Sequence, residues 1–329
     1  MTSATAAESA SGARPSRLGW FARWTALWDE REAPTSQWLC RVLVSLVVLA
    51  DLLDAALSGA GVGAFAPPPD GLGYAASEQW AAELFGATAA TAMGLYLAAC
   101  IAALCFLFGV ATRVSGLVLA LVLAQLGSFA PEGDRGVDVL LRIAILILVC
   151  SGSHLRWSFD AWLAARFGKA RATLIPAWPR RLLTLQLVWM YFSAAHNRAD
   201  AAWWPTGGLS ALATLLTDPH YARFPPGWLR HVYPLTQAAT ATTMSFELGS
   251  PLLLLLAWFD RAPTRGGRVG DLVRRYRVRW LWLGLGVMLH LGIALSMRLG
   301  IFSFGVLALY PVLIYPDEWC LRHLRCGTP

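Results

Sequence analysis

Residues 186–208 read QLVWMYFSAAHNRADAAWWPTGG, an apolar run that turns abruptly polar. Continued as a helix, it places His196 and Asp200 four apart and so on one face. Such a pair holds one imidazole tautomer and supports proton transfer. Arg198 points about 200° away from either on the same helix. It can fork two hydrogen bonds onto a carboxylate or phosphate, or snorkel to the membrane surface. Glu247 lies just before Gly249 and Pro251 and needs a cationic or hydroxyl partner in so apolar a segment. His290 is set deep in another apolar segment, either as a hydrogen-bonded packing residue or as part of a site. Asp138 and Arg142, four apart, can pair with each other or join a shared polar cavity.

The expected site is therefore a polar cavity. His196, Arg198, Asp200 and His290 supply its reactive groups, and Asp138, Arg142 and Glu247 contact the substrate. Trp203, Trp204, Gly207 and Gly208 shape its outer lip, because tryptophan favours the membrane interface and glycine lets the chain turn back. No HxxxH or ExxH pair occurs on the candidate helices, so no metal site is expected.

The elements that must hold these groups are membrane helices. The chain is 57% hydrophobic and 14% charged, with sixteen tryptophans; a soluble domain carries roughly a quarter charged residues. A helix needs about 20 apolar residues to cross a bilayer. Eight candidate spans follow, near 37–58, 88–110, 114–131, 137–152, 183–203, 237–259, 280–298 and 300–316. The expected fold is an all-α polytopic bundle with both termini cytoplasmic. Arginines crowd the segments 153–182 and 260–279, while 59–87 carries Asp70, Glu78 and Glu83 and no basic residue, in line with the positive-inside rule. The net charge of +7 is thus a topology signal, and no nucleic-acid partner is expected. Residues 1–17 read as a disordered tail. Residues 18–36 read as an interfacial helix with Trp20, Phe21, Trp24, Leu27 and Trp28 on one face. The transmembrane domain covers 37–319, and 320–329 forms a cytoplasmic tail. Cys40, Cys100, Cys105, Cys150, Cys320 and Cys326 show no metal-binding spacing and read as packing residues.

The order of these motifs resembles the HTTM (horizontally transferred transmembrane) domain, the membrane part of vitamin K-dependent γ-glutamyl carboxylase and its bacterial relatives. Four stretches carry the likeness: Arg41 with Asp51-Leu52; Gly133-Asp134 with DVLLRIAILILVCSGSHLRWSFD, ending in Ser158 and Asp160; QLVWMYFSAAHNRADAAWWPTGG; and HLGIALSMRLGIFSFGVLALYPVLIYPDEW. The resemblance implies a quinol as candidate cofactor. It also implies a lysine base in the third stretch, where matching from Tyr191-Phe192 places Arg198. Arginine, with a pKa above about 12, does not act as a base at neutral pH. The family's histidine at the start of the fourth span corresponds to Val137 or Asp138, and these 329 residues hold no counterpart of the carboxylase's large extracytoplasmic domain. Length, the Ala-Ala variant of the third motif and the Asp-Pro step in TDPHYARFPP are closer to the membrane-only SdpB-type relatives, which mature an exported peptide toxin with a small partner.

Three readings stay open: a maturation factor for an exported peptide, enzymatic or not; a quinol-dependent carboxylase-type enzyme; and a transporter or lipid-binding protein. The expected surroundings are membrane lipids of the bacterial inner membrane, with a small pro-peptide substrate and a small accessory protein as candidate partners.

Overall fold

The computed structural model describes residues 19–58, 61–73, 80–169, 172–261 and 267–319. The expected tails 1–17 and 320–329, with Cys320 and Cys326, lie outside the described residues, as do Glu78, Arg171 and Arg265.

Fourteen α-helices are formed among the described residues. They are α1 (Trp20–Trp28), α2 (Thr35–Leu57), α3 (Trp80–Phe85), α4 (Ala89–Phe108), α5 (Thr112–Phe129), α6 (Gly136–Cys150), α7 (Phe159–Arg166), α8 (Trp178–His196), α9 (Ala211–Thr217), α10 (Leu229–Leu248), α11 (Leu252–Arg261), α12 (Gly267–Arg275), α13 (Val278–Ser296) and α14 (Phe302–Leu307). Among the described residues this all-α plan is joined by a two-residue antiparallel pair, β1 (Arg31–Glu32) with β2 (Ile175–Pro176), and by a single bridge between Ala222 and Met297.

Three of these helices, α4, α5 and α13, are long and apolar enough to cross a membrane. The chain from Pro226 through α11 makes a fourth if its two parts, bent by 65°, are taken as one span. The bend falls at Gly249-Ser250-Pro251, where proline lacks the backbone donor a continuous helix needs. Ser250 pins the break to α8 by donating to the Val188 carbonyl at 3.0 Å. At 23 residues α2 also has the length to cross, about 34 Å at 1.5 Å per residue, though it carries Arg41, Asp51 and Asp54.

Small residues let the helices approach closely, the main source of affinity between helices in lipid. A Cβ on Gly116 of α5 would lie 2.6 Å from the Phe106 ring of α4 and from Val149 of α6. Cys40 is fully buried in this core, whereas Cys150, against expectation, is exposed at the end of α6.

Contacts gather the helix ends into two groups. At the first end, Arg41 of α2 reaches the carbonyls of Ser153 and Trp157 at 3.3 Å each. Asp160 accepts from the backbone of Ala111 and Thr112 and from the Thr112 hydroxyl, at 2.8 Å each, and so holds the turn between α4 and α5. Arg180 binds Glu32 at 2.9 Å and the Val312 carbonyl at 3.2 Å. Arg279 binds Asp260 at 2.5 Å, the Leu313 carbonyl at 2.8 Å, and Glu318. At the opposite end, Tyr96 of α4 donates to the Leu52 carbonyl at 2.8 Å. Arg135 joins Asp51 at 2.7 Å to Asp138 at 2.9 Å.

Two local expectations are corrected here. Asp138 and Arg142 do not pair with each other. Asp138 folds back to accept from the backbone and side chain of Arg135 at 2.8 and 2.9 Å, because it sits in the first turn of α6, where backbone donors are free. Arg142 instead makes a two-pronged bridge to Asp134, 2.7 Å on each arm. The helix expected as a fifth span also stops earlier than expected. Helix α8 ends at His196, where the Asn197 and Arg198 amides turn back onto Ser193 and Ala195 at 3.0 and 3.2 Å.

Candidate functional site

The early end of α8 decides the site. With the helix stopped at His196, the chain bends at Asn197, and the Trp204 indole donates to the Arg198 carbonyl at 3.0 Å. The Arg198 side chain then turns toward α10. One of its nitrogens meets Glu247 Oε1 at 3.0 Å and the other meets Oε2, a bidentate pair. The guanidinium lies 3.9 Å from the centre of the Trp203 ring, a cation–π contact. Glu247 is buried one turn before the α10–α11 break and receives the cationic partner its sequence context demanded.

A second polar group lies beside this pair. Tyr191 on α8, His290 on α13 and Tyr310 beyond α14 form a chain of hydrogen bonds. The Tyr191 hydroxyl is 2.6 Å from His290 Nε2 and 2.8 Å from the Tyr310 hydroxyl. All three side chains are buried. Gly286, one turn before His290, makes room: a Cβ there would stand 2.2 Å from the Tyr310 hydroxyl. Phe246 and Trp282, stacked at 4.2 Å, wall the chain from the side. His290 Nδ1 has no hydrogen-bond partner among the described residues.

Both groups line one cavity of about 310 Å³. Arg198, Glu247, Tyr191 and His290 are among its polar lining residues, and Met190, Leu289, Ile293 and Phe302 supply apolar walls. The chain between α8 and α10 forms its roof, through Trp203, Leu212, Leu215 and Tyr221. That roof is stitched down. The Arg223 amide donates to the Ser296 carbonyl at 3.0 Å, and the Arg298 amide to the Tyr221 carbonyl at 2.8 Å. Gln237 of α10 donates to the Gly208 carbonyl at 2.7 Å.

Of the residues singled out by sequence, Arg198, Trp203, Glu247 and His290 meet at the cavity. The others do not line it. His196 is exposed and stacks on Phe192, ring centres 5.9 Å apart. Asp200 accepts from the Ala202 amide at 2.9 Å and starts a short turn. The expected shared face of His196 and Asp200 does not exist, because the helix stops between them. Asp138 and Arg142 belong to the ion pairs around the start of α6. Trp204, Gly207 and Gly208 build the roof turn: a Cβ on Gly207 would lie 2.2 Å from the Ala201 carbonyl oxygen, and Gly208 takes φ +69°. Arg198, expected to bind an outside anion or snorkel, is already engaged by Glu247.

Tyr191 and Tyr310 were missed as site residues. Their signal in the sequence is faint: Tyr191 lies in the apolar run before His196, and Tyr310 precedes a proline in another. No group of three or more His, Cys, Asp or Glu side chains suited to a metal ion occurs among the described residues.

The HTTM domain matches residues 31–259, well over half of the chain and every helix from α2 into α11. The chain belongs to the HTTM domain family. This HTTM protein has no match among the curated proteins or the solved structures compared with it. The matched part contributes Tyr191, Arg198, Trp203 and Glu247 to the cavity, while His290 and Tyr310 come from beyond it.

Chemically, the cavity offers two different tools. The Arg198–Glu247 pair is internally neutralised and serves as a fixed dipole against an apolar wall. His290 is fixed at Nε2 by Tyr191, and its Nδ1 is buried without a partner among the described residues, so the imidazole's tautomer follows the direction of the tyrosine hydrogen bonds.

Proposed function

We propose that this HTTM protein is a maturation factor for an exported peptide, of the SdpB type, working with a small accessory partner in the bacterial inner membrane. The observation that carries the reading is the roofed cavity with its Arg198–Glu247 pair and the buried Tyr191–His290–Tyr310 chain. Ionisable groups inside a membrane bundle are costly, and they mark working sites by default.

Eight passes with both termini cytoplasmic fit this reading. The alternation of helix ends between the Arg41–Arg180–Arg279 group and the Asp51–Arg135 group supports the count. The arginine-rich segments support the orientation. Helix α1, with Phe21 and Trp24 exposed, would then lie at the cytoplasmic headgroups. The roofed cavity faces the side to which the peptide is exported. A quinol-dependent carboxylation fits less well: the position of the family's lysine base is Arg198, whose guanidinium is held on both arms by Glu247.

The test compares secreted peptides from cells with and without the gene by mass spectrometry. The processed form of one exported peptide is expected to vanish on deletion and to return with the wild-type gene. Arg198→Lys, at matched membrane abundance, is expected to restore it only weakly, since lysine cannot hold both carboxylate oxygens. Identical secreted peptides with and without the gene would overturn the proposal.

A further inference from the structure

A second cavity, of about 460 Å³, opens beside Arg279, and its lining carries both signs of charge. Of the arginines that line it, two are already engaged. Arg279 binds Asp260 and Glu318, and Arg274 binds Asp271 at 2.6 Å and the Phe259 carbonyl at 2.9 Å. Arg277 is exposed, and its guanidinium makes no hydrogen bond or ion pair among the described residues. Its backbone is left-handed, at φ +47°, a conformation disfavoured for a residue with a side chain. That turn separates α12 from α13.

The surroundings put Arg277 at the headgroup level of a bilayer. It caps the start of α13, one of the helices long and apolar enough to cross a membrane. Trp280 and Tyr315, residue types that favour the membrane interface, line the same cavity. Val269 and Leu272 of α12 and Tyr276 after it are exposed, while Gly270 and Val273 are buried, the pattern of a helix lying on the bilayer surface. Leu281, Leu285 and Met288 share one face of α13 and are exposed along it, starting one turn below Arg277. Gly284 lies among them, and a Cβ there would meet nothing within 4 Å.

We infer that this cavity holds one phospholipid whose headgroup carries both a phosphate and an ammonium group, with the phosphate on Arg277 and the acyl chains along the exposed face of α13. A guanidinium forks two hydrogen bonds onto a phosphate. The ammonium goes to Asp260. Among the described residues that carboxylate is contacted through one oxygen, by Arg279, and a carboxylate offers about four acceptor positions, so a further donor has room. A headgroup with a phosphate alone would meet the carboxylates of Asp260 and Glu318 with no cation to answer them. The volume of about 460 Å³ corresponds to roughly fifteen groups of about 30 Å³ each, enough for the phosphate, its ammonium arm and the glycerol. The inference rests on α13 lying in the bilayer and not on what the protein matures, so either can fail alone.

The test is native mass spectrometry of the full chain in detergent, titrated with phosphatidylethanolamine or with phosphatidylglycerol of the same chains. A single phosphatidylethanolamine is expected to stay bound, at least about fivefold more tightly than phosphatidylglycerol. Arg277→Asn suits the left-handed turn and removes the cation. It is expected to weaken binding about tenfold, the loss of one charged contact. Arg275→Asn removes an exposed cation of α12 that is not among the lining residues, and binding is expected to stay within about twofold. Equal losses in the two variants mean a diffuse basic surface and overturn the inference, as does equal binding of the two lipids. Glycerophosphoethanolamine, the same headgroup without chains, is expected not to displace the lipid at millimolar concentration. Displacement would assign the cavity to a soluble phosphate ester and overturn the lipid. If Arg277→Asn does not fold, the wild-type protein in nanodiscs decides. Phosphatidylethanolamine with a photoreactive acyl chain must label residues 281–288 of α13 at least about threefold above residues 97–104 of α4, and equal labelling overturns the inference.

Discussion

Arginines hold both ends of this bundle, but they are used differently: Arg180 and Arg279 are buried, while Arg198 is half-buried. Arg180 and Arg279 are each enclosed by several partners: Glu32, Asp260 and Glu318 supply carboxylates, and Val312 and Leu313 supply carbonyls. That end is a clasp, tying α8 and α13 to the strand-like start of the chain and to its last described turns. Around Arg198, the guanidinium has one carboxylate partner and an aromatic ring, and an apolar cavity opens beside it. The packing leaves space beside both arginines, but of different kinds: a cavity of about 460 Å³ beside Arg279 is lined by charged groups such as Asp260, Arg274 and Glu318, whereas the one of about 310 Å³ beside Arg198 has mainly apolar walls. Charge alone does not separate the two cases; burial and the balance of partners do.

The clasp can be broken most severely at Arg279. Arg279→Ala leaves Asp260 and Glu318 beside an unanswered Leu313 carbonyl, and it is expected to cost about 3 kcal/mol, the low end for removing one partner of a buried pair since both carboxylates keep some water. Thermal unfolding in one fixed detergent checks this, and a loss below about 1 kcal/mol would mean that the clasp is ornamental.

The cavity end responds in another way. Arg198→Met strands the buried Glu247 carboxylate and is expected to cost about 3 kcal/mol; Glu247→Leu strands the half-buried Arg198 guanidinium and is expected to cost less; the double replacement returns stability to within about 1 kcal/mol of wild type. Peptide maturation is expected to be absent in all three. A double variant that is both stable and active would remove the functional distinction between the two ends.

A smaller effect is expected at Asp160, which anchors the α4–α5 turn at the clasp end. Burial alone would raise its pKa, but hydrogen bonds from Thr112 and Ala111 outweigh that and hold the carboxyl below its ordinary value. Its stabilisation is therefore complete above the ordinary carboxylate range near about 4, and it is lost as pH falls through the lowered value. Asp160→Asn is expected to cost about 1 kcal/mol at pH 7, with the gap to wild type closing in melts taken below pH about 4. A gap that widens toward acid would contradict the assignment.

The smallest effect is expected at His196. It is exposed outside the cavity and stacks on Phe192. His196→Ala should shift stability by less than about 0.5 kcal/mol and leave maturation at the wild-type rate when membrane abundance is matched. A strong loss of activity would extend the site beyond the cavity wall.

By itself, the sequence determined that this is a helical membrane protein, roughly where its long helices lie, and which rare polar residues sit among them. Composition and periodicity carry that information because each is a property of one segment in its solvent. The need of Glu247 for a cation was legible in the same way, from one charge in an apolar run. Which groups meet was not legible, because it turns on where helices stop. Each residue of helix rotates the next side chain by about 100°, so ending α8 at His196 rather than near 203 removed the His196–Asp200 face and carried Arg198 round to Glu247. The capping turn at the start of α6 likewise took Asp138 from Arg142 and gave it to Arg135. Tyr191, His290 and Tyr310 lie far apart in the chain, and only the packing of α8 against α13, with the space left at Gly286, brings them within hydrogen-bond reach.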